Sequence, residues 1–247
     1  DRSLAIFLFH GVIERSPYRV RNYTRKHLEK DAFVGIMKEL MAHGQPMTMD
    51  AVVEHQRTNS PFPPRAFVVT FDDGFENNYS VVAPVLEDLQ MPATFYVTTD
   101  FVDRNTMSWI DQIEYCFESA SDGSLRLPWN PQARSFSTSA ERIGILEEIR
   151  AHVKRDPGIN QELFVSDIFS QCAITEITSS DDPLDRKMNW SQVRSLSENS
   201  LFTVGGHSHR HAILSFLGDQ QLEDDVRTSC TLLEKRAGIG PMHYSYP

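Results

Sequence analysis

The residues best suited to chemistry fall in two groups. Asp72 and Asp73 stand side by side ahead of Gly74, and His207, His209 and His211 alternate far downstream. Two carboxylates held close repel unless a cation or a shared proton sits between them. Two imidazoles and one carboxylate can hold a divalent ion from one side and leave positions open for water and substrate. Ordinary turn chemistry is the competing reading of Asp73-Gly74, since both residue types favour turns. It accounts for a turn, but not for two acids delivered to one point by an apolar segment.

The elements that must position these groups are short strands. Ala66-Phe67-Val68-Val69-Thr70-Phe71 is apolar at five of six positions, which is how a strand buried on both faces reads. At its end the chain turns, so both carboxylates can face one mouth, and Gly74 permits a conformation most residues resist. A second apolar run, Leu201-Phe202-Thr203-Val204, leads into Gly205-Gly206-His207. Positions 207 and 211 share a face if the segment is a helical turn, and position 209 then faces away.

Thr70-Phe71-Asp72-Asp73-Gly74 and His207-Ser208-His209-Arg210-His211, the latter as H-[ST]-x-x-H, resemble the two leading motifs of the polysaccharide deacetylase family, also called the NodB-homology or carbohydrate esterase family 4 group. The resemblance implies that Asp73, His207 and His211 bind one divalent ion, with Asp72 as general base. Zinc suits imidazole and carboxylate ligands best, and cobalt, nickel or iron are compatible. Zinc lowers the pKa of bound water from about 15.7 towards about 7. The reaction implied is hydrolysis of the N-acyl group, typically N-acetyl, of an amino sugar. The substrate implied is a bacterial surface glycan or its precursor, as in lipopolysaccharide or capsule biosynthesis. The fold implied is a distorted TIM-like (β/α) barrel, with its active residues at the C-terminal ends of the strands.

Three further residues are site-lining candidates. His10 follows Phe9 at the end of the first strand, where the family commonly has a Tyr-His or Phe-His pair. His209 offers an H-x-H pair with His207. Some amidohydrolases use such a pair, but at the end of the first strand, where this chain has only His10. Tyr246 sits in Ser245-Tyr246-Pro247, which resembles the family's third motif without its usual Arg. That Arg normally pairs with the catalytic Asp, so its absence leaves the tuning of Asp72 open. The oxyanion-binding Tyr and the general-acid His of the family are expected beyond Pro247, which makes the barrel C-terminally incomplete as given.

Along the chain, Leu4–Phe9 reads as a buried strand and residues 12–30 as loop. Phe33, Ile36, Met37, Leu40 and Met41 mark one face of a helix stopped at Gly44. Thr48 reads as the cap of a shorter helix. Tyr79, Val82, Leu86 and Leu89 mark another helix, whose first turn Pro84 separates or kinks. Ala93–Thr98 reads as the next strand, so strand, helix and strand form a parallel βαβ unit. Residues 1–247 read as one domain, with a mostly helical insertion at 107–187 packed beside the barrel mouth. Within it, residues 124–137 suggest a hairpin and Thr138 with Glu141 a capping box. Asn189 caps a helix to about Asn199, and a last helix ends at Gly238.

Composition bounds the partners. The chain has 247 residues, 40% of them hydrophobic and 23% charged, which is a globular composition. A net charge of −10 argues against nucleic acid or an anionic membrane surface as partner. No apolar run is long enough for a transmembrane helix. Leu4–Phe9 is too short for an export signal, so the expected location is cytoplasmic, or exported where a signal precedes this sequence. Cys116, Cys172 and Cys230 are far apart and form no C-x-x-C pattern, so free thiols are expected. A catalytically impaired carbohydrate-binding relative is the main alternative. An aspartyl-nucleophile phosphohydrolase fits poorly, because that chemistry needs acids at i and i+2.

Overall fold

A computed structural model describes residues 3–247. The chain runs through β1 (Leu4–Phe9), β2 (Gly11–Ile13), β3 (His27–Glu29), α1 (Lys30–His43), β4 (Gln45–Pro46), α2 (Met49–Arg57) and β5 (Ala66–Phe71). It continues through α3 (Ala83–Asp88), β6 (Ala93–Val97), α4 (Thr99–Arg104), α5 (Trp109–Ser119), β7 (Gly123–Leu127) and β8 (Asn130–Phe136). Then come α6 (Ser139–Val153), α7 (Gln161–Gln171), α8 (Trp190–Glu198), β9 (Phe202–Gly206) and α9 (Asp219–Leu232).

Local chemistry explains several boundaries. The Thr48 hydroxyl accepts from the Ala51 amide at 3.1 Å and starts α2. Thr138 and Glu141 form the expected capping box of α6, and Asn189 with Gln192 forms one at α8. Pro84 sits in the first turn of α3, and the preceding turn Asn78–Val82 is π-helical. Pro84 donates no N–H, so the ladder changes register there rather than running through.

Two compact units emerge. The first holds residues up to Arg15, Lys26–Thr106 and Asp181–Pro247; the second holds Ser16–Arg25 and Met107–Ser180. In the second, α5, α6 and α7 enclose Ile113, Phe117, Leu146, Ile149, Ile168 and Phe169 beside the β7–β8 hairpin. Arg142 is buried there and donates to the carbonyls of Phe117 and Ala120, both at 2.9 Å. Those bonds offset the cost of removing its charge from water.

The first unit carries the main sheet, of order β1-β5-β6-β9, all parallel, with β4 against the start of β5. Phe9 pairs with Phe71, Phe71 with Phe95, and Val97 with Gly206, so the C-terminal strand ends come out on one side. One phenylalanine per strand fills the layer beneath. Phe9 stacks on Phe71 at 5.6 Å between centroids, Phe71 on Phe95 at 5.2 Å, and Phe95 meets Phe202 edge-on at 5.3 Å. Phe33, Met37, Leu86, Val193 and Leu233 close the core around them.

Two expectations need correction, and a third is met in part. The sheet among the described residues is parallel and accompanied by helices, as expected, but it is open and forms no closed barrel: β1 and β9 lie at opposite ends of the strand order. β1 is not buried. Ile6 and Leu8 are 55% and 52% exposed, because β1 is the edge strand and is paired only to β5. Residues 12–30 are not all loop either, since β2 and β3 form a short parallel pair, with Gly11 opposite His27.

Candidate metal centre

The first half of the site is the corner after β5. The Asp72 amide donates to the Phe9 carbonyl at 3.0 Å, which carries the β1–β5 ladder one residue past the strand. The next two residues are left-handed, Asp73 with φ 75° and Gly74 with φ 85°. Aspartate tolerates this region better than most residues, and glycine is unrestricted there. Gly74 also has no room for a side chain, since a Cβ would lie 2.5 Å from Val97 Cγ1. This double turn brings both neighbouring carboxylates to the same place. Asp73 Oδ1 lies 3.5 Å from His207 Nε2 and 3.1 Å from His211 Nε2, and Asp72 Oδ2 lies 3.9 Å from His207 Nε2.

The second half is the loop after β9. The His207 amide donates to the Val97 carbonyl at 3.0 Å and so extends the β6–β9 ladder. His207 Nδ1 meets the Ser245 carbonyl at 3.0 Å. A carbonyl only accepts, so Nδ1 carries the proton, and in the neutral ring the Nε2 lone pair lies on the side of the carboxylates, where a cation or a proton must come between them. Ser245 reaches this point because the last segment runs beside β9, with its amide donating to the Gly206 carbonyl at 3.0 Å.

The segment 207–211 is not the helical turn expected from its spacing. Ser208 and His211 are both left-handed, with φ 64° and 55°. The loop is held instead by groups from elsewhere. Asp225 on α9 accepts from the amides of His209 (2.7 Å) and Arg210 (3.0 Å). The Ser208 hydroxyl accepts from the His211 amide at 2.8 Å, and the Thr98 hydroxyl donates to the His207 carbonyl at 2.9 Å. The His211 ring stacks on Phe101 at 5.4 Å and comes to 5.3 Å from the His207 ring.

Electrostatics separate the two acids. Burial pushes the Asp72 carboxyl up to about 6; Asp73's charge adds to that, and His207, His211 and the Ser245 hydroxyl oppose it. Burial pushes Asp73 the same way, but Lys26, His211 and His207 outweigh it and hold Asp73 well below the usual carboxylate range. The Lys26 ammonium lies 3.1 Å from Asp73 Oδ2, on the far side of the carboxylate from the histidines. Burial lowers His207, but the close contact and charge of Asp73, then the charge of Asp72, outweigh it and raise its pKa overall. Burial, with the charge of Asp72, also pushes Tyr96 up to about 12.

Asp73, His207 and His211 each offer one ligand atom, all within 4.8 Å of one another. Asp73 Oδ1 is buried and takes no hydrogen bond of normal geometry, although two Nε2 atoms face it. Three electron-pair donors this close repel unless a cation or a shared proton lies among them, and the cluster could hold a metal ion. Tetrahedral zinc, with bonds of about 2.0–2.2 Å, places its ligand atoms roughly 3.4 Å apart. The 3.1 and 3.5 Å separations fit that spacing.

The other candidates lie around this cluster. His10 is half-buried, one residue past the Phe9–Phe71 pair. His209 turns to the Thr99 hydroxyl, with Nδ1 at 3.0 Å, and is outside the cluster. Tyr246 is 76% exposed, its ring 5.9 Å from that of Tyr244. Instead Ser245, its neighbour, reaches Asp72: its hydroxyl donates to Oδ2 at 3.4 Å. Lys26, Tyr96, Asp225 and Ser245 were not singled out from the sequence for the site. Only Ser245 had a local signal, as the residue before Tyr246-Pro247.

Residues 59–155 match the family model for polysaccharide deacetylase. Over 59 residues the chain is 37% identical to the poly-beta-1,6-N-acetyl-D-glucosamine N-deacetylase of Escherichia coli K12. That stretch is 24% of this chain and spans only 9% of the relative's length. The whole chain is similar in fold to IcaB from Ammonifex degensii, with TM-score 0.58 and 15% identity, covering 75% of that chain. It is also similar, over 99% of its length, to the Streptococcus pyogenes deacetylase PplD, solved in complex with acetate (TM-score 0.57, 13% identity, 73% of that chain).

Proposed function

We propose that this chain, whose residues 59–155 match the polysaccharide deacetylase family model, hydrolyses the N-acyl group, in the first instance N-acetyl, of an amino sugar in a bacterial surface glycan or its precursor. The observation that carries the reading is Asp73 Oδ1, buried and facing two histidine Nε2 atoms. Asp73, His207 and His211 hold the divalent ion, with zinc the first choice. When bound, the ion supplies Lewis acidity and lowers the pKa of water.

The chain's own residues do the rest. Asp72 adjoins the ligand set without completing it. Its Oδ1 is buried with no hydrogen-bond partner, which leaves it open to take the proton of the attacking water. A carboxyl near 6 suits that work at neutral pH, where it is mostly ionised yet still basic enough to receive a proton. Water adds its oxygen to the acyl carbon, the C–N bond breaks as the departing nitrogen takes up the proton removed from the water, and the products are a carboxylic acid and a free amine, which ionise at neutral pH. His207 keeps its lone pair on the ion's side because Ser245 fixes its other nitrogen. The mouth at the strand ends is where a sugar would be received.

One observation favours a second reading. Asp72 meets a serine hydroxyl at 3.4 Å, whereas the related motif would supply an Arg. A carbohydrate-binding relative without turnover would show this loss. Amine release from an N-acetylated β-1,6-glucosamine oligomer, measured with zinc and after chelation, separates the two. Release that stops on chelation and returns with zinc supports the hydrolase. Binding of the oligomer without amine release in either state supports the binding relative and contradicts the hydrolase.

A further inference from the structure

Lys26 is placed against the ligand set by construction. It directly precedes β3, which pairs with β2 just past the end of β1. That pair is pinned on several sides. Asn77 accepts from the Val12 amide at 3.2 Å, hydrogen-bonds the His27 ring at 3.2 Å and donates to the Pro183 carbonyl at 2.9 Å. Gly11 lies so close to His27 that a Cβ would come within 2.2 Å of its ring. The His27 ring meets Phe75 edge-on at 4.4 Å, and the Lys26 ammonium lies 4.7 Å over the same Phe75 ring. The ammonium thus stands beside the double turn that carries Asp73, with Lys26 17% and Asp73 2% exposed in their side chains.

The geometry divides the Asp73 carboxylate in two. Oδ1 faces His211 Nε2 at 3.1 Å and His207 Nε2 at 3.5 Å, while Oδ2 faces Lys26 Nζ at 3.1 Å. We propose that Lys26 is a positioning residue that reserves Oδ2 of Asp73, so that Asp73 ligates a divalent ion through Oδ1 alone. This rests on the metal reading above. An ammonium and a divalent ion on the same carboxylate repel each other, and in a buried site that repulsion is poorly screened. Lys26 therefore weakens ion binding while keeping a coordination position open. Without it, both oxygens become available to chelate, and an anion buried without its partner binds a cation more tightly.

Cobalt(II) titration of the whole chain, followed by its visible absorption spectrum, tests this in wild type, Lys26→Met, Lys26→Arg and Asp73→Asn. Lys26→Met is expected to bind cobalt at least tenfold more tightly. Its absorption bands should be weaker, as an added oxygen ligand raises the coordination number. Lys26→Arg, which keeps a cation on Oδ2, should restore the wild-type affinity and spectrum. Equal affinity and spectra in wild type and Lys26→Met would overturn the role of Lys26 alone. So would weaker binding by Lys26→Met, which would make the lysine a support rather than a competitor. If wild type takes up no cobalt, or Asp73→Asn binds it as well as wild type, the metal reading fails and this assignment with it.

Discussion

The two halves of the site solve the same problem by different means. The carboxylate corner after β5 is held by its own backbone: a ladder bond to Phe9 and two successive left-handed residues, Asp73 and Gly74. The histidine loop after β9 borrows its shape from elsewhere. Asp225, Thr98 and Ser245 each hold one part of it. A backbone corner gives fixed geometry from a few adjacent residues. A borrowed loop gives convergence of His207 and His211 despite left-handed Ser208 and His211, each such residue costing about 1–2 kcal/mol. The corner should therefore fail chiefly at its own residues, and the loop at distant ones.

The largest effect belongs to the corner. Asp72→Asn should retain the ion and lose about 10²–10⁴ in amide hydrolysis rate, the usual contribution of a general base. Equal rates in variant and parent would remove Asp72 from the mechanism. The same variant should also stabilise the metal-free protein. Asp72 is raised from 3.8 to about 6 on folding, so the folded state holds the proton more tightly. Its contribution is favourable below about 3.8 and is lost as pH rises through about 6. At pH 8 the ionised, buried group then costs on the order of 2–3 kcal/mol. Urea unfolding at pH 8 should show Asp72→Asn more stable than the parent, with the gain shrinking as pH falls through about 6 and gone below about 4. A gain independent of pH would break that account.

The loop is probed at a distance. Asp225→Ala leaves two loop amides unpaired and should weaken ion affinity about 10–100-fold, the range for outer groups that orient ligands. Asp225→Asn retains one acceptor oxygen and should recover part of the loss. Competition with a chromophoric chelator reads both variants, and unchanged affinity in Asp225→Ala would show that the loop holds itself.

How far the site was legible in the sequence follows the same division. The corner could be read because its determinants are contiguous: a dry strand, two acids and a glycine. The pairing of His207 with His211 was also legible, but not the backbone that achieves it. Spacing of four suggested a helical turn, whereas the chain uses Ser208 and His211 in left-handed conformations. Lys26 and Asp225 gave no local signal, because what matters is where β3 and α9 carry them. Among the elements, β5 was read correctly as buried while the equally apolar β1 was not. Burial of an apolar strand depends on its neighbours, and β1 has β5 on one side only. For the same reason strand and helix alternation suggested a barrel, although an open parallel sheet produces the same alternation.

Zinc content per chain, measured after gel filtration of wild type, His211→Ala and His209→Ala, tests the central claim most directly. One ion bound through Asp73, His207 and His211 predicts one zinc in wild type, one in His209→Ala, and loss of zinc in His211→Ala. Undiminished zinc in His211→Ala, or an empty site in His209→Ala, would contradict it and move the ligand pair to His207 and His209.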